Sequence, residues 1–567
     1  MTTEFDAIVV GSGISGGWAA KELTEKGLKV LLLDRGRHVK HSEDYPTEGK
    51  APWEMPMRGR LSKETLDKDY EIQKQTWLSE ENKHFWVKDS EHPYVQDNDK
   101  RFNWHRGYHL GGRSLIWGKQ CYRLSDLDFE ANKNDGHGSD WPIRYKDLSP
   151  WYDHVERFAG ISGSMEGLSH LPDGVFQPPM DLNCAEKFVK ANLEEAYPDR
   201  KLIIGRAAHL TEPTEEQMEL GRGQCQSRNQ CGRGCSFGAY FSSQSATLPA
   251  AQRTNNLTIV TDAIGHSVIY DPKTKKASGV RVIDANTKQG REYRGKLVFL
   301  CASAIGSTQI MLNSVSETFQ NGIANGSGVL GHYLMDHVFR AGAGGRVPGF
   351  LEKYYVGRRP NGTYIPRFRN LGSDDQSDKF LRGYGYQGGA GRGGWSRAND
   401  STEVGVDLKN KLQQPGDWWY GMTGFGEMLP RYENHMRIDR KNLDQWGMPM
   451  VHISCEFSEN ERNMLVDMRD AGIEMLKAAG LKEVHGWIAD DVVPGQCIHE
   501  MGTARMGHDP KDSILNGFNQ AHEVSNLFVT DGASMASAAC QNPSLTYMAL
   551  TARAADYAVT QLKAGKI

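Results

Sequence analysis

Residues 5–35 read FDAIVVGSGISGGWAAKELTEKGLKVLLLDR, and this stretch predicts the centre of the fold. An apolar run at 5–10 precedes the glycines at 11–16, and helix-forming residues then lead to a second apolar run that ends at Asp34. A strand, a tight turn, a helix and a second strand within about thirty residues form the context in which GxGxxG is informative. A lone GxGxxG is often only a turn, but this context predicts a Rossmann-like α/β fold with a dinucleotide site.

The residues of this stretch have distinct physical roles at a dinucleotide. Gly11 and Gly13 let the backbone approach a pyrophosphate at the helix N-terminus, and Gly16 lets the helix pack closely on the strand. Asp34 can accept hydrogen bonds from a ribose diol. The first set of predicted cofactor-binding residues is Gly11, Gly13, Ser15, Gly16, Asp34 and Arg35.

Length and charge restrict the classes of function. The chain has 567 residues, more than one hydrophobic core usually serves, so we expect two domains or one domain with a large insert. The formal net charge is −4 without a long basic run, which disfavours nucleic acid and anionic membrane as partners. No apolar stretch has the length of a membrane span, and the first strand starts about five residues from the N-terminus, leaving no room for a signal peptide.

Two further stretches are predicted to approach the same cofactor. Gly111-Gly112, followed by Ser114, is a predicted helix start whose free N–H groups can face a phosphate or a flavin oxygen. Later, the last of three short predicted strands, at 257–262, 277–284 and 293–301, leads directly into the small residues 302–307 and an apolar helix. This second strand-to-helix crossing predicts another backbone approach, beginning at Ala302.

The character of the chain changes between about 336 and 494. The glycine-rich segment 383–394 is predicted to be a flexible loop, alternating segments follow at 419–428 and 450–457, and an amphipathic helix is predicted at 459–479. These features predict a second domain built on an antiparallel sheet.

The chain then returns to the first domain. A buried-type strand at 526–533 ends in Asp531-Gly532, and residues 542–546 open a helix with Pro543 just inside its start. Three far-apart approaches favour FAD over a nicotinamide cofactor, because a flavin extends deep into the fold. The predicted domains are 1–335 (FAD-binding, with a surface excursion at 38–103 and a cysteine loop at 222–240), 336–494 (substrate-binding) and 495–567 (the return). The later cofactor-binding candidates are Gly111, Gly112, Ser114, Ala302, Asp531, Gly532, Asn542, Pro543 and Ser544.

These residues resemble the glucose-methanol-choline (GMC) oxidoreductase family, essentially from end to end. The segments that carry the resemblance are 11–16, 111–112, 302–307, HEMGTARMG at 499–507 and NPSLT at 542–546. The HxMGTxRMG form is similar to the bacterial sugar-oxidising branch, which includes glucoside 3-dehydrogenases, gluconate and glucose dehydrogenase catalytic subunits and pyranose oxidases. RGYHLGGRSLIWG at 106–118 and CGRGCSFGAYFSSQSATLPAA at 231–251 look most like the glucoside 3-dehydrogenase group.

Two departures from the family pattern concern the flavin. Many members have Asn where this chain has Trp117, so a different contact must serve the flavin there. Fungal pyranose oxidase has a histidine covalently attached to the flavin where this chain has Ile116. We therefore expect FAD to be bound non-covalently.

Oxidation of a secondary alcohol requires a base for the hydroxyl proton and a hydride acceptor for the carbon. Imidazole titrates near neutral pH and suits the first role, and His499 lies in the matched motif. The resemblance implies that His499 sits at the flavin N5 edge with Asn542, whose amide can donate to the substrate oxygen. We interpret the other eighteen histidines as ordinary surface or core residues.

Three cysteines, Cys225, Cys231 and Cys235, crowd together with the spacing C-x5-C-x3-C. The residues alone leave three interpretations open: unpaired thiols, part of a zinc site without its fourth ligand, or ligands of an iron-sulfur cluster. The glycines around the cysteines permit the tight loop that a cluster needs. The same spacing is found in FAD-dependent glucose dehydrogenase subunits that carry a [3Fe-4S] cluster. The resemblance therefore implies a [3Fe-4S] cluster held by these three cysteines.

Together these features predict an FAD-dependent dehydrogenase that oxidises a sugar or glucoside, at C3 of a pyranose, and passes electrons through the cluster to a partner. That partner is expected to be a cytochrome-type or quinone acceptor reached with a small accessory subunit. The alternatives are a pyranose or C-glycoside oxidase that makes H2O2 from O2, an electron-transfer subunit without alcohol chemistry, and a lyase. Export with a signal-bearing partner would make the protein periplasmic, although a cytoplasmic protein fits the residues equally well.

Overall fold

The computed structural model describes residues 4–354, 360–372 and 375–567. No helix in this part of the chain is both long and apolar enough to cross a membrane. The strands are β1 (Glu4–Val10), β2 (Val30–Leu33), β3 (Val95–Gln96), β4 (Ile203–Ile204), β5 (Leu257–Val260), β6 (Ala263–Asp271), β7 (Lys276–Asp284), β8 (Gly290–Leu300), β9 (His337–Val338), β10 (Ala341–Val347), β11 (Thr363–Ile365), β12 (Tyr384–Arg392), β13 (Trp418–Glu427), β14 (His435–Leu443), β15 (Pro449–Ser454), β16 (Lys482–Ile488) and β17 (Leu527–Val529). The helices are α1 (Ile14–Glu25), α2 (Lys63–Asp69), α3 (Asp126–Phe129), α4 (Ala131–Asp135), α5 (Tyr145–Ala159), α6 (Cys184–Ala196), α7 (Glu215–Glu219), α8 (Leu248–Arg253), α9 (Ala304–Asn313), α10 (Gly405–Gln413), α11 (Glu459–Ala478) and α12 (Ser544–Lys563).

The first sheet has the order β5-β2-β1-β8-β7-β6, and β17 pairs with β8. The pairs of β1 with β2, β1 with β8, β2 with β5 and β8 with β17 are parallel, whereas β6, β7 and β8 pair antiparallel. The apolar runs that predicted β1 and β2 are buried on both faces: Val9 clusters with residues of α1 and α12, whereas Val10 points to the opposite face and lies against Gly265 of β6. The predicted strands at 257–262, 277–284 and 293–301 correspond to β5, β7 and β8, whereas β6 was not predicted.

The parallel strands place distant segments at one edge of the sheet. Gly11 follows β1, Asp34 follows β2, Ala302 comes shortly after β8, and Asp531 comes shortly after β17. Because the carboxyl ends of parallel strands meet at the same edge, these four approaches converge although they are far apart in the sequence.

The second sheet is antiparallel, with the order β16-β10-β13-β12-β11-β4 and with β9 paired to β13. The amphipathic helix predicted at 459–479 is α11, and its Met464 and Met468 pack against the glycines of β13. Most of this sheet comes from residues 337–488, but β4 comes from earlier in the chain. A third sheet, β14-β15-β3, includes β3 from the segment 38–103, which otherwise consists largely of turns and short helices.

The prediction of a flexible loop at 383–394 was wrong, because most of this glycine-rich run is β12, which lies between β11 and β13. The glycines are needed for close strand approach: a Cβ on Gly388 would lie 2.5 Å from the carbonyl oxygen of Gly421, and a Cβ on Gly362 would lie 1.8 Å from that of Gly388. Neighbouring backbone occupies the space of the missing side chains, a contact that composition alone does not reveal.

Candidate active site

A single cleft at the carboxyl edge of the first sheet collects most of the predicted site residues. Gly16 and Gly111 are not part of its lining. Gly16 packs against Gly11, and the Gly111 N–H donates to Ser12 Oγ at 2.7 Å. The predicted residues that line the cleft are Gly11, Gly13, Ser15, Asp34, Arg35, Gly112, Ser114, Ala302, His499, Asp531, Gly532, Asn542, Pro543 and Ser544.

The N-terminus of α1 forms a cradle in this cleft. Gly13 is the N-cap residue and no side chain caps the helix; apart from its chain neighbours, no described residue lies within 4 Å of a Cβ added at Gly13. Free N–H groups of a first helical turn and open space in front of them suit a pyrophosphate. The residues present therefore fit the dinucleotide part of FAD.

Asp34 lies beside this cradle and is already partly engaged. Its carboxylate accepts hydrogen bonds from the Gly36 N–H at 2.8 Å, from the Ser12 N–H at 3.2 Å and from the Ser12 hydroxyl. Burial raises the pKa of Asp34 to about 6. A carboxylate offers about four acceptor positions, so it retains capacity for a ribose hydroxyl.

Two glycines of the first turn should respond differently to substitution by alanine. A Cβ on Gly16 would lie 1.8 Å from the Gly11 carbonyl oxygen, so Gly16→Ala should destabilise the apoprotein by about 1–3 kcal/mol or more. The added methyl group of Gly13→Ala faces open space within the described part of the chain, so this variant should leave the apoprotein intact while weakening FAD binding. Denaturant unfolding of the apoprotein and flavin absorbance after reconstitution separate the two effects. Equal apoprotein stability in both variants would contradict this packing argument.

His499 is held by a loop that Asp336 anchors through the backbone. The buried Asp336 carboxylate accepts hydrogen bonds from the N–H groups of Gly495 at 2.7 Å, Cys497 at 3.0 Å and His499 at 3.0 Å. Burial, reinforced by the Glu500 carboxylate, raises the pKa of Asp336 to about 7. Sequence reasoning missed this residue, because nothing in the sequence links it to the loop.

The ring of His499 faces a second histidine. Its Nδ1 lies 2.8 Å from Nδ1 of His337 and 3.3 Å from Sγ of Cys497. Burial, with contributions from His337 and Arg113, lowers the pKa of His499 well below its ordinary value, so the ring is neutral at neutral pH.

Asn542 is oriented by Gln387 of β12. The Gln387 Nε2 donates to Asn542 Oδ1 at 2.6 Å, which leaves the Asn542 amide hydrogens available to another acceptor. The sequence predicted Pro543 just inside the start of this helix, whereas the structure places it one position earlier, as the N-cap of α12. Nearby, Arg113 donates to both carboxylate oxygens of Glu500, at 2.9 and 2.7 Å, so these two charges are paired.

The positions that depart from the family pattern also lie in the cleft. Ile116 is 2% exposed and offers no nucleophile, and Trp117 Nε1 donates to the Phe241 carbonyl at 2.9 Å. Neither side chain is suited to form a covalent bond to a flavin.

A second, smaller cavity is lined by all three clustered cysteines. None of the three forms a disulfide, and His209 Nε2 lies 3.6 Å from Cys231 Sγ in the same cavity. Burial, with a further contribution from the neighbouring thiols, raises the pKa of Cys225 and Cys231. Cys225 and Cys231 are therefore neutral thiols that would lose their protons on binding a metal.

The cysteine loop is fixed by cations and by the segment 38–103. Arg228 pairs with Glu48 at 2.5 Å, and its guanidinium lies 3.9 Å from Cys235 Sγ. Lys119 lines the larger cleft and donates to the Cys231 carbonyl at 3.2 Å. Lys119 thus lies between the two cavities, and burial lowers its pKa to about 8.

Comparison with known proteins gives consistent matches along the chain. Two family profiles, both described as GMC oxidoreductase, match residues 5–339 and 430–551. The 2-methyl-1,2-propanediol dehydrogenase of Mycolicibacterium austroafricanum is 28% identical, over 98% of this chain and 96% of the relative. The fructose dehydrogenase large subunit of Gluconobacter japonicus is 25% identical, over 100% of this chain and 99% of the relative. The solved structure of pyridoxine 4-oxidase from Mesorbium loti shares the fold, with a TM-score of 0.58, 15% identity and coverage of 97% of this chain and 98% of that one.

Proposed function

The chain belongs to the GMC oxidoreductase family, whose members are FAD-binding oxidoreductases, and on that premise we propose that it oxidises a secondary hydroxyl of a sugar or glucoside. The observation that carries the proposal is that His499 and Asn542 line the same cleft as the dinucleotide cradle. The sugar class is supported by the similarity to a fructose dehydrogenase subunit. Oxidation at C3 of a pyranose rests on the resemblance of residues 106–118 to the glucoside 3-dehydrogenase group.

The residues divide into those that hold the cofactor and those that act on substrate. Gly11, Gly13 and the N-terminus of α1 would hold the pyrophosphate, and Asp34 would hold a ribose hydroxyl. When bound without a covalent link, FAD supplies the hydride acceptor for the substrate carbon. The protein positions the hydroxyl and moves its proton.

The proposed proton transfer uses two side chains. The Asn542 amide donates to the substrate oxygen and fixes its direction, because its own carbonyl is already bound by Gln387. Nε2 of His499 then accepts the hydroxyl proton as the carbon is oxidised. The lowered pKa of His499 keeps the ring in the basic form before substrate arrives.

We further propose that the enzyme is a dehydrogenase. Cys225, Cys231 and Cys235 line one cavity and would ligate a [3Fe-4S] cluster, whose negative charge Arg228 and Lys119 would offset. A flavin that reacts only with O2 needs no such exit for electrons, whereas a dehydrogenase must pass them on singly. The partner would be a cytochrome-type or quinone acceptor with a small accessory subunit, and co-export with that subunit would make the enzyme periplasmic.

The proposed substrate domain spans residues 336–494, and three of its large aromatic side chains are too deeply buried to stack on a sugar. Tyr384, Tyr386 and Trp418 are buried in the core of the second sheet, at 0%, 0% and 1% exposure. The Tyr386 hydroxyl donates to the Met468 carbonyl at 2.5 Å. This domain contributes to the site through Gln387, whose side chain donates to Oδ1 of Asn542.

The experiment that tests the proposal is an anaerobic titration of freshly prepared protein with a panel of glucosides, followed by absorbance and EPR. Bleaching of the flavin together with a change in a cluster signal would support the dehydrogenase, and the panel would identify the best substrate. Bleaching without iron, followed by rapid reoxidation in air and stoichiometric H2O2, would favour the oxidase. A flavin that no sugar bleaches would contradict the proposed function.

A further inference from the structure

His337 is the only described residue whose side-chain nitrogen contacts the ring of His499. The two Nδ1 atoms are 2.8 Å apart, the rings meet at 82°, and His337 is 1% exposed. No step of the proposed proton transfer yet uses this contact. A hydrogen bond between two nitrogens of the same type requires one to donate and the other to accept, so the contact carries information about proton positions.

The backbone on the far side of His337 decides which nitrogen donates. Its Nε2 lies 3.3 Å from the carbonyl oxygen of Ala538, and a carbonyl can only accept. The hydrogen of His337 therefore sits on Nε2. Burial lowers the pKa of His337 to about 4, so the ring is neutral and its Nδ1 has only a lone pair.

The same reasoning then fixes the proton of His499. Its Nδ1 must donate to the lone pair of His337, with the sulfur of Cys497 at 3.3 Å as a second neighbour. A neutral imidazole has a single N–H, so Nε2 of His499 is left as the unprotonated nitrogen. That is the form a base needs.

We propose that His337 is a positioning residue. Its Nε2–H donates to the Ala538 carbonyl, so its Nδ1 accepts from Nδ1–H of His499 and holds His499 in the tautomer with an unprotonated Nε2. The inference rests on the proposed role of His499 as base. His337 acts through His499 and does not itself meet the substrate.

None of the charged groups described around the His499 ring accepts a hydrogen bond from its Nδ1, so His337 is the acceptor. The Asp336 carboxylate accepts its hydrogen bonds from backbone N–H groups, including that of His499. Glu500 is paired with Arg113. Within the described residues no carboxylate is bonded to the His499 ring, so an uncharged acceptor takes the place that a carboxylate often has beside a catalytic histidine.

Two substitutions separate proton placement from simple packing. His337→Asn keeps a side-chain carbonyl that can accept from Nδ1 of His499, whereas His337→Leu keeps bulk without an acceptor. We expect His337→Leu to slow anaerobic flavin reduction by about 2- to 10-fold, in proportion to the fraction of His499 that then carries its hydrogen on Nε2, and His337→Asn to recover most of the rate.

The direct measurement is nitrogen NMR of the FAD-loaded protein labelled with 15N-histidine, in which protonated and unprotonated ring nitrogens have well-separated shifts. The His499 signals are those lost in His499→Gln. The wild type and His337→Asn should show Nδ1 protonated and Nε2 unprotonated, and His337→Leu should show a mixture.

A wild-type His499 that carries its hydrogen on Nε2 would overturn the inference, as would a His337→Leu variant with the wild-type tautomer. If His337→Leu fails to fold, the wild-type spectrum and the Asn variant still decide. The NMR measurement reads the tautomer without turnover. If the expected tautomer is found in a protein whose flavin no sugar reduces, the proposed function is contradicted but the inference about His337 is not.

Discussion

His499→Gln should lower the rate of anaerobic flavin reduction by the sugar by about 10²- to 10⁴-fold, the usual contribution of a positioned base. The substituted amide cannot accept the hydroxyl proton as an imidazole does, while the cradle at α1 that would hold the dinucleotide is untouched. FAD content, measured by absorbance, should therefore stay at the wild-type level. Stopped-flow reduction under anoxic conditions isolates the chemical step from any later transfer of electrons.

His508→Gln is the matched control, since that side chain is 65% exposed and takes no part in the cleft. It should reduce the flavin at the wild-type rate. The pH profile adds a second check: because burial lowers the pKa of His499, its ring should not become protonated as the pH falls through about 6.5, and a loss of rate in that range should instead follow Asp336, whose pKa is about 7 and whose carboxylate holds the His499 loop. A His499→Gln variant that keeps the full rate would contradict its role as base.

Cys231→Ser should remove the iron, from about three atoms per chain to background, and stop electron delivery to an external one-electron acceptor. The side chain of Cys231 contacts His209, and its carbonyl accepts from Lys119, which lines the cleft that contains His499. This contact links Cys231 to that cleft. Flavin reduction by the sugar should continue, because His499 and Asn542 lie in the other cavity. Iron analysis, EPR and a comparison of flavin reduction with acceptor reduction measure the three effects.

The control for this substitution is Cys184→Ser, because Cys184 is also free and partly buried but lies on α6, outside the cysteine cavity. It should retain iron and acceptor reduction. Absence of iron from freshly prepared wild-type protein would refute the cluster. Reoxidation by O2 at the same rate in Cys231→Ser and the wild type would then favour the oxidase.

The structure confirmed the fold class because the signals for it are local. The order of apolar run, glycine turn, helix and acid at 5–35 depends on neighbours in the sequence, and so does the period of α11. The prediction failed at 383–394 for the opposite reason. Glycines there are required by the backbone of β11 and β13, and no local pattern distinguishes such glycines from those of a loop.

For the site, the segments proposed to carry chemistry could be read from the sequence: the glycines at 11–16 and the motifs around His499 and Asn542. These positions are readable because turn geometry and side-chain chemistry restrict the residue types. Their hydrogen-bond partners came from the fold, since His337 lies 162 residues from His499 and Gln387 lies 155 residues from Asn542. Such contacts are set by how parallel strand ends and the second sheet meet in space, and a hydrogen bond across that distance has no signature in the sequence.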